Sequence, residues 1–103
     1  MPKISFDYDG VLTTENGKQL LKRKISEGYD VYIVTARRHS LTVINFARQN
    51  GVPSNRVFFT EGEDKWKTLQ RLGIETHYDN NQEQIDKINK FTNTKGILYG
   101  ATA

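Results

Sequence analysis

The sequence predicts an α/β domain with a mostly parallel, five-stranded sheet and helices on both faces. Short runs rich in β-branched and aromatic residues alternate with segments of helical periodicity, and short connections that often contain glycine join them. A β-α-β order with short connections favours parallel strands with crossover helices. The chain has 103 residues and no cysteine. We therefore expect one domain, spanning 1–103, that folds around a single core without disulfides.

Each predicted strand is a short apolar run that stops at a polar residue or a glycine. The first begins at Ile4 and ends in the acids before Gly10, and the others cover residues 31–34, 56–60, 74–78 and 95–99. The Val31–Val34 run is continuous, which is typical of a strand covered on both faces.

Four helices are predicted between and after these strands. They cover residues 18–27, 40–50, a segment between a cap at Asp64 and a stop at Gly73, and residues 82–91. Helical spacing predicts that the following side chains face the core: Leu20, Leu21, Ile25, Leu41, Ile44, Ala47, Trp66, Leu69, Leu72, Ile85, Ile88 and Phe91. Residues 13–17 are polar and are expected to form a loop, the one local segment that could act as a mobile lid.

Two carboxylates, Asp7 and Asp9, lie one residue apart where the first strand ends at Gly10. Ligands of open α/β sheets bind outside the carboxyl ends of the strands. Two acids this close repel each other unless a proton or a cation lies between them, and Mg²⁺ prefers oxygen ligands. A strand that runs into an ordinary turn, with both acids in solvent, is the alternative for this motif alone.

Other polar residues follow the later strands, and the fold class predicts that all of them meet at one crevice: Asp7, Asp9, Thr35, Thr60 and Asp79, with Lys65 at the start of the third helix. Carboxylates for Mg²⁺, a hydroxyl for a phosphoryl oxygen and a lysine charge are suited to phosphoryl transfer. Asp7 could act as the nucleophile, and Asp9 could protonate the leaving group and later activate water.

The order of these residues resembles the motifs of the haloacid dehalogenase superfamily of phosphohydrolases. The four matching segments are Phe6 to Leu12, Val34 to Arg37, Lys65 before Leu72-Gly73-Ile74, and Tyr78-Asp79. The resemblance implies a three-layer Rossmann-like fold, Mg²⁺ dependence and an aspartyl-phosphate intermediate. It makes Asp7, Asp9, Thr35 and Lys65 catalytic and Asp7, Asp9 (through its main-chain carbonyl) and Asp79 the metal ligands, with Gly10, Thr35, Ala36 and Arg37 at the substrate.

Two departures from the common pattern bear on activity and substrate. Asn80 and Asn81 stand where many members have a second acid, so Glu83 could orient a metal-bound water and Asn80 could offer a neutral oxygen. The segments between the motifs leave no room for a cap domain, which implies the minimal capless type. An open crevice suits a large substrate, such as a phosphorylated polymer end or protein, or is closed by a neighbouring subunit in a homo-oligomer.

Composition bears on the partners. The net charge of +3 favours an anionic partner, so a nucleotide or nucleic-acid end is a candidate substrate. No run approaches the ~20 apolar residues that a membrane span needs, and we expect a cytoplasmic protein. The rival hypothesis is a phosphate-binding or regulatory module with little or no catalytic activity. A receiver domain is disfavoured because its phosphorylated Asp follows a later strand.

Three further features have a functional and a structural interpretation. Arg37, Arg38 and His39 could bind a second phosphate or a leaving group, or could simply be solvated. His77 lies inside a strand and is expected to be a hydrogen-bonded structural residue. Trp66 is expected in the core, like the Phe58-Phe59 pair, and not as a base-stacking platform.

Overall fold

Five strands form one sheet at the centre of the protein. The structure, a computed structural model, describes residues 1–100. The strands are β1 (Lys3–Phe6), β2 (Asp30–Thr35), β3 (Val57–Phe59), β4 (Thr76–Asp79) and β5 (Lys95–Leu98), in the spatial order β3-β2-β1-β4-β5. All four neighbouring pairs are parallel, so the predicted fold class is confirmed.

Four helices cover both faces of this sheet: α1 (Glu15–Ser26), α2 (Leu41–Gln49), α3 (Trp66–Leu72) and α4 (Gln82–Phe91). Strand β2 explains why both faces need cover, because its side chains alternate between two cores. Val31 and Ile33 pack with buried residues of α1 and α2. Tyr32 and Val34 pack with buried residues of α3 and α4. Within residues 1–100, no helix is both long enough and apolar enough to cross a membrane.

The segment predicted as a lid, residues 13–17, is not a loop. Helix α1 begins at Glu15, and the hydroxyl of Thr14 caps it by accepting a hydrogen bond from the Gly17 N–H at 3.0 Å. Gly17 is buried, and a Cβ there would collide with the main-chain carbonyl of Val11. The lid prediction is therefore wrong, because a cap and a close main-chain contact hold this segment in place.

Three details of the predicted helices also differ. Leu41 is 67% exposed because Ser40 caps α2 just before it, and Val43 and Ala47 form the buried face instead. Asp64 does not cap α3, since its carboxylate accepts hydrogen bonds from Gln84 and Lys87 of α4.

The end of α4 is the third difference. Phe91 is the last residue of the helix and is 46% exposed rather than in the core. Its ring lies against that of the half-buried Trp66, with 5.0 Å between the centroids. The aromatic pair thus lies at the edge of the core between the sheet and helices α3 and α4.

Candidate active site

A cavity of about 420 Å³ lies at the carboxyl ends of the strands. Five of the six residues predicted to meet there line it, namely Asp7, Asp9, Thr35, Lys65 and Asp79, together with Gly10, Ala36 and Asn80. The strand order explains the convergence, because β1 lies between β2 and β4 and so places Asp7 between Thr35 and Asp79. Thr60 is not among the lining residues. Its hydroxyl donates to the Glu63 carbonyl at 2.9 Å.

Asp7, Lys65 and Asp79 form a buried charge cluster at the floor of this cavity. The Lys65 Nζ lies 2.6 Å from Asp79 Oδ2 and 3.0 Å from Asp7 Oδ1. Their side chains are at most 10% exposed. One ammonium therefore bridges two carboxylates, and the cluster keeps one uncompensated negative charge when all three groups are ionised.

The main chain positions the first carboxylate. The Asp7 N–H donates to the Tyr78 carbonyl at 2.9 Å, which extends the pairing of β1 with β4 by one residue. The Tyr8 N–H in turn donates to Asp7 Oδ1 at 2.8 Å. Since the turn after β1 starts here, the side chain of Asp7 is oriented by the backbone that follows it.

Helix α4 holds the lysine. The Lys65 N–H donates to Gln84 Oε1 at 3.0 Å, and Gln84 Nε2 donates to Asp64 Oδ1 at 3.0 Å. Gln84 also lines the cavity. The role of Gln84 was not predicted, because a glutamine on a half-buried helix face carries no local signal for a contact 19 residues away.

His77 fixes the orientation of Asp79 from inside the sheet. Its Nε2 lies 2.9 Å from Asp79 Oδ2 and its Nδ1 lies 2.6 Å from the Ser5 hydroxyl, where β1 and β4 pair Ser5 with His77. Burial lowers the pKa of His77, so the ring is neutral at pH 7. A neutral ring that donates from Nε2 to the carboxylate accepts from Ser5 at Nδ1. The prediction of a hydrogen-bonded structural histidine is confirmed.

The two carboxylates of the cluster have opposite pKa shifts. Burial raises the pKa of Asp7 to about 6, although the nearby Lys65 opposes this shift. Burial alone would also raise the pKa of Asp79, but the hydrogen bond from His77 and the Lys65 charge hold it below its usual value. Asp79 is thus the permanent anion, and Asp7 is the group whose charge is left without full compensation.

Asp9 has a different partner. Its carboxylate forms a bidentate ion pair with Arg37, with Nε to Oδ2 and Nη2 to Oδ1 both at 2.8 Å. We call Asp9 and Arg37 the surface pair, because their side chains are 54% and 38% exposed. The hydrogen bonds from Arg37 lower the pKa of Asp9. The expectation that one proton or cation lies between Asp7 and Asp9 therefore needs correction, since Asp7 is paired with Lys65 and Asp9 with Arg37.

The remaining predicted residues lie around these two groups. Gly10 has a φ of 80°, and a Cβ there would collide with the side-chain amide of Asn80, so both backbone and space call for glycine. Thr35 is buried, and its Oγ1 accepts from the Arg37 N–H at 3.4 Å. Glu83 is 73% exposed, pairs with Lys87 and does not line the cavity.

All three residues of the basic cluster lie outside the cavity lining, although Arg37, which was predicted at the substrate, binds the lining residue Asp9. Arg38 and His39 are exposed, and the His39 ring lies 5.5 Å from that of Phe59. Among residues 1–100 no three His, Cys, Asp or Glu side chains gather as a ready metal site. A metal at the cavity would therefore depend on main-chain or amide oxygens besides the two carboxylates of the buried charge cluster.

Comparison with known proteins bears on the fold. No family model and no curated protein sequence matches the chain. A solved structure from Vibrio cholerae, described as a "putative 3-deoxy-D-manno-octulosonate 8-phosphate phosphatase", matches 98% of this chain and 76% of its own at a TM-score of 0.59 and 16% identity. The chain therefore shares the fold of that structure. At this identity the likeness concerns the fold alone, and the chemistry has to be argued from the residues of the cavity.

Proposed function

We propose that this protein is a Mg²⁺-dependent phosphomonoester hydrolase that acts through an aspartyl-phosphate at Asp7. The observation that carries the proposal is the buried charge cluster, which presents a carboxylate and an ammonium together at the floor of an open cavity. The shared fold with a protein described as a phosphatase supports the same reaction class.

The reaction requires an in-line displacement at phosphorus. An oxygen of Asp7 attacks, a new P–O bond to Asp7 forms, and the bond from phosphorus to the leaving oxygen breaks. Asp9 enters this step protonated and donates its proton to that leaving oxygen. Asp9 then removes a proton from water, which attacks the aspartyl-phosphate and releases inorganic phosphate and the free Asp7 carboxylate.

Two other residues stabilise the charge on the phosphoryl group. The Lys65 ammonium already lies 3.0 Å from Asp7 and can attract the phosphoryl oxygens as they approach. The buried hydroxyl of Thr35 lines the same cavity and can donate a hydrogen bond to one of them.

The residues at the cavity fit a hard divalent cation. Asp7 and Asp79 supply carboxylate oxygens, and the cluster has a surplus negative charge when all three groups are ionised. Burial, together with the nearby Asp79 charge, raises the pKa of Asp7. We assign Asp7, Asp79 and the main-chain carbonyl of Asp9 as the holders of Mg²⁺. When bound, Mg²⁺ supplies positive charge to the phosphoryl oxygens.

Hydrolysis of an aryl phosphate with and without Mg²⁺ tests the proposal, with wild-type protein beside Asp7→Asn. We expect Mg²⁺-dependent activity that falls by about 10³ or more in the variant, because a residue of covalent catalysis is lost. The matched control is Asp86→Asn, an exposed carboxylate on α4 that accepts from Gln82 and lies outside the cavity lining. Asp86→Asn should retain wild-type activity.

Trapping the intermediate separates the enzyme from the rival binding module. A beryllofluoride adduct that forms on the wild type and on Asp86→Asn, but not on Asp7→Asn, would support nucleophilic attack by Asp7. Wild-type activity no higher than that of Asp7→Asn, together with phosphate binding and no adduct, would favour a phosphate-binding module instead.

A further inference from the structure

In the surface pair, Arg37 binds the Asp9 carboxylate that the proposed reaction needs. Both oxygens of Asp9 accept a hydrogen bond from Arg37, at 2.8 Å each. A leaving oxygen has to approach one of these oxygens to receive a proton from it. In the structure, the guanidinium group lies along the carboxylate edge where that contact would form.

Arg37 is held in place by contacts other than Asp9. Its guanidinium carbon lies 5.1 Å from the centre of the Tyr8 ring, and Nη1 lies 3.4 Å from the Ser40 hydroxyl. The main-chain N–H of Arg37 points to Thr35 Oγ1, and Ala36 lines the cavity. Loss of the Asp9 contact would therefore leave the guanidinium held by Tyr8 and Ser40, beside the lining residues Asp9 and Ala36.

The pair is also exchangeable. Both side chains are partly exposed, and exposed ion pairs contribute little to stability because water solvates the separated charges well. A guanidinium with its fork of donors binds any planar or tetrahedral oxyanion in the same way as a carboxylate. A substrate oxyanion near the phosphate can thus replace Asp9 as the partner of Arg37.

We infer that Arg37 is a specificity-determining latch: a phosphomonoester with a second anionic group close to the phosphate draws Arg37 from Asp9 and frees the carboxylate for the leaving oxygen. This inference rests on the proposed function and adds a substrate class to it. The second anion is a carboxylate or another phosphate. A monoester without it is left with Asp9 blocked.

A series of two-carbon monoesters tests the latch. We compare 2-phosphoglycolate and ethane-1,2-diol bisphosphate, which carry a carboxylate or a second phosphate, with 2-hydroxyethyl phosphate, which carries neither. Wild-type kcat/KM should be roughly ten- to a hundredfold higher for at least one of the two anionic esters, the range expected for one charge-assisted contact. The ester with the larger gain identifies the second anion.

Arg37→Met should remove this preference in a specific way. The variant loses activity on the preferred anionic ester and gains activity on 2-hydroxyethyl phosphate, because Asp9 is then free without an exchange. Arg48→Met, an exposed arginine on α2 outside the cavity, is the matched control and should keep the wild-type ratio. An unchanged ratio in Arg37→Met, or equal wild-type kcat/KM for all three esters, would overturn the latch.

A binding measurement separates this inference from the proposed function. The ¹⁵N–¹H resonance of Arg37 Nε, assigned by its absence in Arg37→Met, should shift on addition of phosphonoacetate towards its position in Asp9→Asn. Methylphosphonate, which lacks the second anion, should leave it in place. If the Arg37 resonance shifts but no ester is hydrolysed, the proposed phosphatase activity is wrong, and the exchange of Arg37 between Asp9 and the anion stands. Hydrolysis without anion preference or shift would reject the latch alone, and absence of both would reject both.

Discussion

The buried charge cluster and the surface pair both join aspartate to a basic residue within 3.0 Å, yet they differ in how far water reaches their charges. In the cluster, Lys65 bridges two carboxylates that water barely reaches. In the surface pair, Arg37 binds a carboxylate that is more than half exposed. Ions removed from water depend on each other, whereas exposed ions can exchange partners.

Under the proposed function, this difference suits the separate tasks of two acids that stand only two positions apart in the chain. Asp7 belongs to a fixed arrangement, held by the backbone of Tyr8 and by a lysine that α4 positions. Asp9 belongs to an exposed pair, which in our proposal a competing anion opens. A covalent nucleophile benefits from fixed geometry, while a group that exchanges protons with substrate and water needs access.

The largest expected effect comes from removing the central cation of the cluster. Lys65→Met leaves two buried carboxylates facing each other, and we expect the free energy of unfolding to fall by about 3–5 kcal/mol. Urea unfolding of the metal-free protein measures it. Lys67→Met, the exposed neighbour that contacts the Trp66 ring, should change stability by no more than about 1 kcal/mol.

A second variant keeps this test informative if Lys65→Met does not fold. Asp79→Asn in the same chain removes one of the two uncompensated charges and should restore part of the lost stability. If Lys65→Met were as stable as Lys67→Met, the cluster would not be the tightly coupled unit that its distances indicate.

A smaller effect of opposite sign is expected for Asp7→Asn. The pKa of Asp7 is raised to about 6, so the folded protein binds this proton more tightly than the unfolded chain does. Ionisation of Asp7 in the folded protein therefore lowers the free energy of unfolding as the pH rises from about 4 through about 6. Without metal, Asp7→Asn should exceed the wild type in unfolding free energy by about 1–3 kcal/mol above pH 7, and less near pH 5.

Thermal unfolding in a chelating buffer across this pH range gives the measurement. Added Mg²⁺ should raise the melting temperature of the wild type more than that of Asp7→Asn, because it compensates the charge that the variant lacks. If the metal-free wild type were more stable than Asp7→Asn at every pH, the inference that the Asp7 charge is not fully compensated would be wrong.

The smallest effect is expected at the surface pair. Arg37→Met should lower the free energy of unfolding by less than about 1 kcal/mol, because an exposed pair loses little when its charges separate into water. Urea unfolding beside Arg48→Met measures it. A loss of several times the value for Arg48→Met would show that Arg37 is a structural residue, and would remove the exchangeability on which the contrast depends.

Much of the fold and of the cavity could be predicted from local patterns. The continuous apolar run at residues 31–34 predicted a strand that is buried on both faces, and β2 is such a strand. The polar residues after β1, β2 and β4 were predicted to converge, and Asp7, Thr35 and Asp79 line one cavity. These predictions succeed because parallel strands bring their carboxyl ends to the same edge, whatever the strand order.

The failures have a different physical origin. Leu41 matched the helical period but is the first residue of α2 and is exposed. Residues 13–17 looked like a loop because of their polar side chains, but Thr14 uses its hydroxyl as a cap. The hydrophobic period or the composition of a segment describes the residue types within that segment. It does not specify where the neighbouring element begins and ends.

The sequence by itself determined the order of the elements, the acids at the strand ends and the lysine that follows β3, since these depend on local periodicity, caps and glycine stops. Only the tertiary structure decided the partner of each charge. Ser5 reaches His77 because β1 pairs with β4, Lys65 reaches Gln84 because α3 and α4 share a face, and Asp9 turns to Arg37 because β1 lies beside β2. Such contacts join residues 19 to 72 positions apart, and their geometry exists only once the sheet has assembled.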